Sequence, residues 1–376
     1  MDNSLLAVRG INHKYIVVGG NNMILDYGLD DDSANLSRKI LTRGIHNLEI
    51  FFNKLFGNSE FVYVACPDFS ITLRQKRLIL GFPIGGYIRW PSKYNIFPLD
   101  LDVNTCGVHI LKLPDNFNEY DFIRRLYNLK QKLDNQKLML DGKVLKWNFS
   151  IRNHFINVYK DQENNHYLVV HSSGETELID IKNLNKLFDI KYIDIENRKY
   201  PYIIDSDAIE YAKISAAEND FFYKRHKFIF NELFHEEYEL IYSNLHFGMI
   251  KNGEVLMGCS KLQIGSKFPI LTNAFDNIVI AQVNNPPKDM LDCTNGYALV
   301  PHGLGMRILN DITDIRPYSN WPEHVEIVHK DKSIMVTNTL EYMGIDYRKN
   351  KIIPIMAEKV GFKIIKELIP VTCIKL

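Results

Sequence analysis

Five short segments each place a metal-binding or nucleophilic side chain at the end of an apolar run, beside small or turn-forming residues. They are LDLDVNTCGV with Asp102 and Cys106, RNHFINV with Asn153 and His154, YLVVHSSG with His171, SNLHFGM with His246, and ALVPHGLGMR with His302 and Arg307. A side chain at a strand end next to glycine or serine can face a cleft that a ligand enters. Imidazole, thiolate and carboxylate together suit Mn²⁺, Zn²⁺, Fe²⁺ or Co²⁺. Taken singly, each histidine is more often a hydrogen-bonded core or surface residue, and Cys106 a small buried hydrophobe. None of the spacings is HExxH or CxxC. GFPIGG matches neither GxGxxG nor GxxxxGK[ST] and reads as a tight turn. The other cysteines, Cys66, Cys259, Cys293 and Cys373, have no zinc-knuckle spacing.

The elements that must position these groups are strands and helices without a regular βαβ rhythm, which favours an α+β fold. Leu36, Ile40, Leu48, Phe51, Phe52 and Leu55 recur on a helical period and predict a helix over Ser33–Leu55, with Gly57 as its stop. A second amphipathic helix fits Tyr120–Lys137. KYIVVGG and FVYVA read as strands, and FINVYK and HYLVVH as a hairpin across DQENN. The longest helix is expected from about Asp207 to Glu236, with Glu210 completing a capping box and Ile214, Ala217, Phe221 and Phe228 facing inward. No repeat, low-complexity tract or linker divides the chain. A single domain over 1–376, a mixed β-sheet core surrounded by helices, is expected.

The 376 residues carry 45 Lys plus Arg and 45 Asp plus Glu. Zero net charge excludes a histone-like attraction of the whole surface to nucleic acid, while leaving room for a local basic groove. Two basic clusters stand out: Arg74, Lys76 and Arg77, and Lys224, Arg225, His226 and Lys227. Each reads equally well as a solvated face. No apolar run approaches the ~20 residues that span a bilayer. No signal peptide is read at MDNSLLAVRG, and five scattered cysteines fit a reducing cytoplasm.

From about Cys66 to Leu376, the order of these segments resembles that of the RtcB family of RNA ligases. CPDFSITLRQKRLILGFPIGG looks like the family's MPD segment with its glycine-rich strand, and DVNTCGVHIL like D-I-x-C-G-V/M. RNHFINV resembles G-N-H-F-x-E-V, and LVVHSSG resembles H-S-G-S-R-G. EYAKISAAENDFFYKRHKFI is similar to the A-x-x-A-x-x-N-R helix. NLHFGM stands where the family has a histidine within H-N, PHGLGMR resembles H-G-A-G-R, and ELIPVTCIKL resembles the terminal V-V-C-V-K-G.

The resemblance implies an enzyme that joins RNA ends bearing a 2′,3′-cyclic phosphate or 3′-phosphate to 5′-hydroxyl ends, in RNA repair or tRNA splicing, using GTP and two Mn²⁺ ions. Cys106, His154, His171 and His246 fall on metal-ligand positions, with Cys106 bridging the ions. His302 falls on the guanylylated histidine, and Asn153, Arg307 and Lys375 on nucleotide contacts. The family's acidic ligand lies three residues before the cysteine, where this chain has Val103. Asp102 fits after one inserted residue, and Asp100 is the other candidate. The guanine-recognising glutamate is here Asn157, and the G-S-M-G-T loop has no counterpart between Asn277 and Asn295. Two other readings of the same scaffold are a metal-dependent phosphoesterase of RNA ends and a non-catalytic RNA-end-binding paralogue. A monomer is expected, with an archease-like activator as a possible partner and no membrane association.

Overall fold

A computed structural model describes residues 6–9, 14–17, 21–149, 154–173, 181–196, 198–235, 237–273, 275–321 and 323–374. A thirteen-stranded sheet takes strands from both ends of the chain. In spatial order they are Leu6–Arg9, Lys14–Val17, Met23–Asp26, Val62–Ser70, Ile84–Arg89, Glu254–Met257, Glu239–Lys251, Cys106–Lys112, His166–Ser173, Phe155–Lys160, Phe362–Ile374, Ile278–Val283 and Lys267–Ile270. With helices packed around it, the fold is α+β. Met23–Asp26 and Val62–Ser70 are parallel neighbours, and parallel strands need a long crossover. The helix Asp32–Phe56 supplies it. Asp31 caps the helix start by accepting from Ala34 N at 2.8 Å, and Gly57 ends it at φ 69°. Among the described residues, no helix is long and apolar enough to cross a membrane.

The strand Cys106–Lys112 lies between His166–Ser173 and Glu239–Lys251, antiparallel to both. Val108 and Ile110 enter one core with Val169, Tyr159 and Tyr167. Leu111 on the opposite face joins Leu168, Val170, Ile156 and Val158 under the helices Glu119–Asn135 and Ser206–Phe234. The hairpin Phe155–Lys160 with His166–Ser173 forms as its sequence pattern predicts.

The long helix spans Ser206–Phe234, and of the four residues expected on its inner face only Phe221 is buried. Ala217 is exposed and Ile214 and Phe228 are half-buried, whereas Tyr211, Ser215, Glu218, Phe222, Arg225, His226 and Ile229 are buried. The periodicity of large apolar residues misplaces the face because several buried positions are polar. The predicted capping box is also absent: Asp205 is the N-cap, with no side-chain cap hydrogen bond, and the Asp207 carboxylate accepts from Asp189 N.

Arg225 and His226 have partners on neighbouring elements. Arg225 donates to Asn148 Oδ1 at 2.7 Å, Lys146 O at 3.0 Å and Ser173 O at 3.3 Å. Ser172 Oγ meets His226 Nε2 at 2.5 Å, and His226 Nδ1 donates to Phe222 O at 2.6 Å. Arg225 and His226, part of a possible RNA-binding cluster in the sequence, are therefore inside the protein. His109 stacks on Phe222 and His226, with ring centroids 4.9 and 4.3 Å away.

Burial, reinforced by Arg225, pushes the His109 imidazole down to about 3. Burial likewise holds His226 well below its ordinary value, helped by His109 and Arg225. The unfolded chain takes up these protons near pH 6.5 and the folded chain does not. Stability should therefore be full above that pH and fall on acidification, by about 1.4 kcal/mol per pH unit for each histidine. His109→Phe keeps a ring on Phe222 and should remove one histidine's share of this loss. Denaturant titrations at pH 4–7 check it, and identical acid profiles for parent and variant would contradict it.

Candidate metal and histidine centre

The central strand positions the first three groups. Cys106 lies opposite Ser173, and His171 lies opposite Val108, so thiol and imidazole are diagonal neighbours on one face. The third group depends on an irregularity. Leu245 pairs with Gly107 and Phe247 with Cys106, leaving His246 as the extra residue of a bulge. The bulge pairs Phe247 rather than His246 with Cys106 and sets His246 beside the thiol.

Cys106 Sγ lies 3.1 Å from His171 Nε2, which lies 3.2 Å from His246 Nε2. The three ligand atoms all fall within 4.8 Å of one another, and all three residues are buried. For metal–ligand distances of about 2.0–2.3 Å, neighbouring ligands of a tetrahedral ion sit roughly 3.3–3.8 Å apart. The donor set thus fits a soft or borderline divalent cation with a small outward adjustment. Two imidazole nitrogens at 3.2 Å can share only one proton; a cation would engage both lone pairs. Burial pushes the Cys106 thiol up to about 12, opposed by the Gly107 N–H. Burial also drives His246 well below its usual range, with His302, His171 and His154 adding to the effect. Burial thus favours the neutral forms of Cys106 and His246, and cation binding must release the thiol proton.

His154 stands beside this group, its ring 5.6 Å from that of His171. Its Nδ1 is 2.9 Å from Asn148 O. A carbonyl only accepts, so Nδ1 carries the proton and Nε2 the lone pair. Asn153 and Lys375 lie outside the described residues.

Asp102 is not part of the cluster. It follows the 3₁₀ turn Leu99–Leu101 in the left-handed region, at φ 48°. Its carboxylate is gripped by Arg74 at 2.8 Å and Lys76 at 3.0 Å, with Arg77 at 3.8 Å. The alternative, Asp100, pairs with Arg198. Both candidate acids are thus committed to cations of the protein.

His302 follows the strand Ala298–Pro301, and its ring packs 4.7 Å from that of His246. Its Nδ1 lies 2.5 Å from Asp68 Oδ2 and 2.7 Å from Gly258 O, and its backbone N donates to the same carboxylate oxygen at 3.2 Å. Facing two acceptors, Nδ1 carries the proton, which leaves the lone pair on Nε2. Asp68 is fully buried, and its Oδ1 has no hydrogen-bond partner among the described residues. Sequence reasoning quoted the CPD segment without assigning this aspartate a role. The available signal was an acid at the end of the apolar run FVYVACPD, where a charge is costly to bury unless it is used.

The glycines of PHGLG serve the chain itself. A Cβ on Gly305 would lie 2.4 Å from Asp68 O, and one on Gly303 would lie 2.9 Å from Leu271 O. Gly305 lets the His302 loop press onto the Asp68 strand, and Gly303 lets it press onto the Leu271 backbone. Arg307 is half-exposed and paired with Asp346 at 2.6 Å. The cation behind the loop is Arg348, which is buried and bonded to Asp31, Leu304 O and Phe69 O. Asn157, at the guanine-recognition position of the resemblance, is buried; its Oδ1 accepts from Ile374 N at 3.1 Å. Between Asn277 and Asn295 the chain forms the strand Ile278–Val283 and the helix Lys288–Cys293.

If this cluster holds a metal, Co²⁺ added to the protein should produce a thiolate-to-cobalt absorption band. Cys106→Ser should abolish that band, and His246→Ala should weaken Co²⁺ binding by about tenfold or more. His302→Ala should bind Co²⁺ as the parent does; loss of the metal in that variant would make His302 a ligand. No protein-family model matches this chain, and comparison with curated proteins finds no match.

Proposed function

We propose that the chain is a metal- and GTP-dependent RNA ligase acting on 3′-phosphate or 2′,3′-cyclic-phosphate ends and 5′-hydroxyl ends. The observation that carries this reading is His302. Its Nδ1 is held by a buried carboxylate, and its ring packs on the Cys106–His171–His246 group. The ordered motif resemblance supports the same assignment.

The chemistry follows from that geometry. The Nε2 lone pair of His302 attacks the α-phosphorus of GTP, and the bond to the β-phosphate oxygen breaks, releasing pyrophosphate. The histidine then carries guanylate through a P–N bond while Nδ1 keeps its proton. Asp68 balances the positive charge that develops on the ring, as a buried carboxylate does for a catalytic imidazole. Cys106, His171 and His246 would hold a metal, which would supply a Lewis acid that offsets phosphate charge. An oxygen of the RNA 3′-phosphate next attacks the guanylate phosphorus, freeing His302. The 5′-hydroxyl finally attacks the activated 3′-phosphate, and GMP leaves. A cyclic phosphate must first be opened by water.

One observation favours a second reading. Asn157 is buried and tied to the C-terminal strand, so the residue at the guanine-recognition position is used in packing. A phosphoesterase of RNA ends needs the metal group without a guanine pocket.

Incubation with α-labelled GTP and Mn²⁺ followed by a denaturing gel separates the two. Under the ligase reading the parent retains label, His302→Ala retains none, and Asp68→Asn loses at least about tenfold because an amide cannot balance the imidazolium. Label on His302→Ala would remove the nucleophile assignment. An unlabelled parent that hydrolyses a 2′,3′-cyclic phosphate would establish the phosphoesterase.

A further inference from the structure

The carboxylate expected to bind metal instead organises a set of cations. Arg74, Lys76 and Arg77 surround Asp102, and Arg198 pairs with the neighbouring Asp100. Four cations against two carboxylates leave a local surplus of two positive charges in a chain of zero net charge. The set runs inward from the surface: Lys76 has 47% of its side chain exposed, Arg74 23% and Arg77 3%.

Arg77 is the informative member. Its Nη2 donates to Asp102 O at 2.5 Å, but its buried Nη1 has no hydrogen-bond partner among the described residues. Burial lowers its guanidinium to about 10, opposed by Asp102, and it remains a cation at neutral pH. A buried guanidinium with an unused N–H pair is costly, and an oxyanion is the partner its fork fits. The guanidinium lies 4.7 Å above the Phe247 ring, which lies 6.3 Å from the His302 ring. One aromatic ring therefore separates this cation from the nucleophile.

The segment is anchored independently of any ligand. Arg77 O accepts from Gly81 N and Phe82 N. Gly81 packs against Gly44 so closely that a Cβ on Gly44 would lie 2.3 Å from Gly81 O. The cations are thus presented from a fixed short helix, Gln75–Leu80, with Arg74 at its N-cap.

We infer that Arg74, Lys76 and Arg77, held by Asp102, form a phosphate-binding site for the RNA strand whose end reacts at His302. Assigning RNA as the source of that phosphate rests on the ligase reading; the cation site itself does not. A nucleotide triphosphate presents the same oxyanion chemistry, and the experiment distinguishes the two sources.

The test compares the parent with the double variant Arg74→Ala/Lys76→Ala. Both are first loaded with Co²⁺, and an unchanged spectrum shows that the fold and metal group persist. Binding of a short, fluorescent, 3′-phosphorylated single-stranded RNA is then followed against salt, and tripolyphosphate binding by calorimetry. For an RNA site, the variant should bind RNA about tenfold more weakly, with a salt slope shallower by about 1.4, from two lost contacts at about 0.7 each. Tripolyphosphate binding should not change. Loss of tripolyphosphate binding with unchanged RNA affinity would keep the phosphate site but overturn its assignment to RNA. If neither changes, the cations serve only to hold Asp102 and the inference fails. A parent that takes up no guanylate from GTP would remove the ligase reading, while these binding measurements still decide the cation site.

Discussion

The centre depends on the register of one strand. Cys106–Lys112 has neighbours on both sides, so its pleat decides which side chains share a face. Cys106 opposite Ser173 places the thiol diagonal to His171. The mismatch between Leu245 and Phe247 makes His246 a bulged residue beside both. A slip of one residue would send Cys106 to the helix-covered face and leave the imidazoles without a thiol.

The two faces of the same strand handle polar groups differently. On the helix side, Ser172 and His226 bond to one another and Arg225 is spent on backbone and amide oxygens. That network ties the helix to the sheet and reads as structure. On the other face, a thiol and imidazoles converge nitrogen to nitrogen and nitrogen to sulfur. Apolar residues of similar volume would pack there at lower cost. The arrangement makes physical sense if a cation completes it.

Two buried aspartates show how burial and partnership assign different roles to one residue type. Asp68 meets an imidazole and a backbone N–H, so it can fix a tautomer and balance a transient positive charge. Asp102 meets cations that already neutralise it, which leaves little reason for it to bind a metal and makes it an anchor for basic side chains. Distance along the chain from Cys106 is a poor guide to either role, because Asp68 arrives from a different strand.

Much of the architecture was legible from the chain. The helix after Asp31, its stop at Gly57, the hairpin at 155–173 and the α+β class follow from local periodicity and turn chemistry, which act between residues close in sequence. The chemistry-bearing residues at 106, 171, 246 and 302 could be singled out because polar ligands end apolar runs. Their grouping could not be derived from spacing, since it depends on contacts between strands 55 or more residues apart in sequence. The buried face of the long helix was legible only in part, at Phe221, because Arg225 and His226 find partners across the fold that periodicity does not see. The fates of Asp102, gripped by a short basic helix, and of Asp68, bonded to a histidine 234 residues away, were decided only by tertiary structure. Electrostatic partnership depends on distance in space, and the local sequence does not encode it.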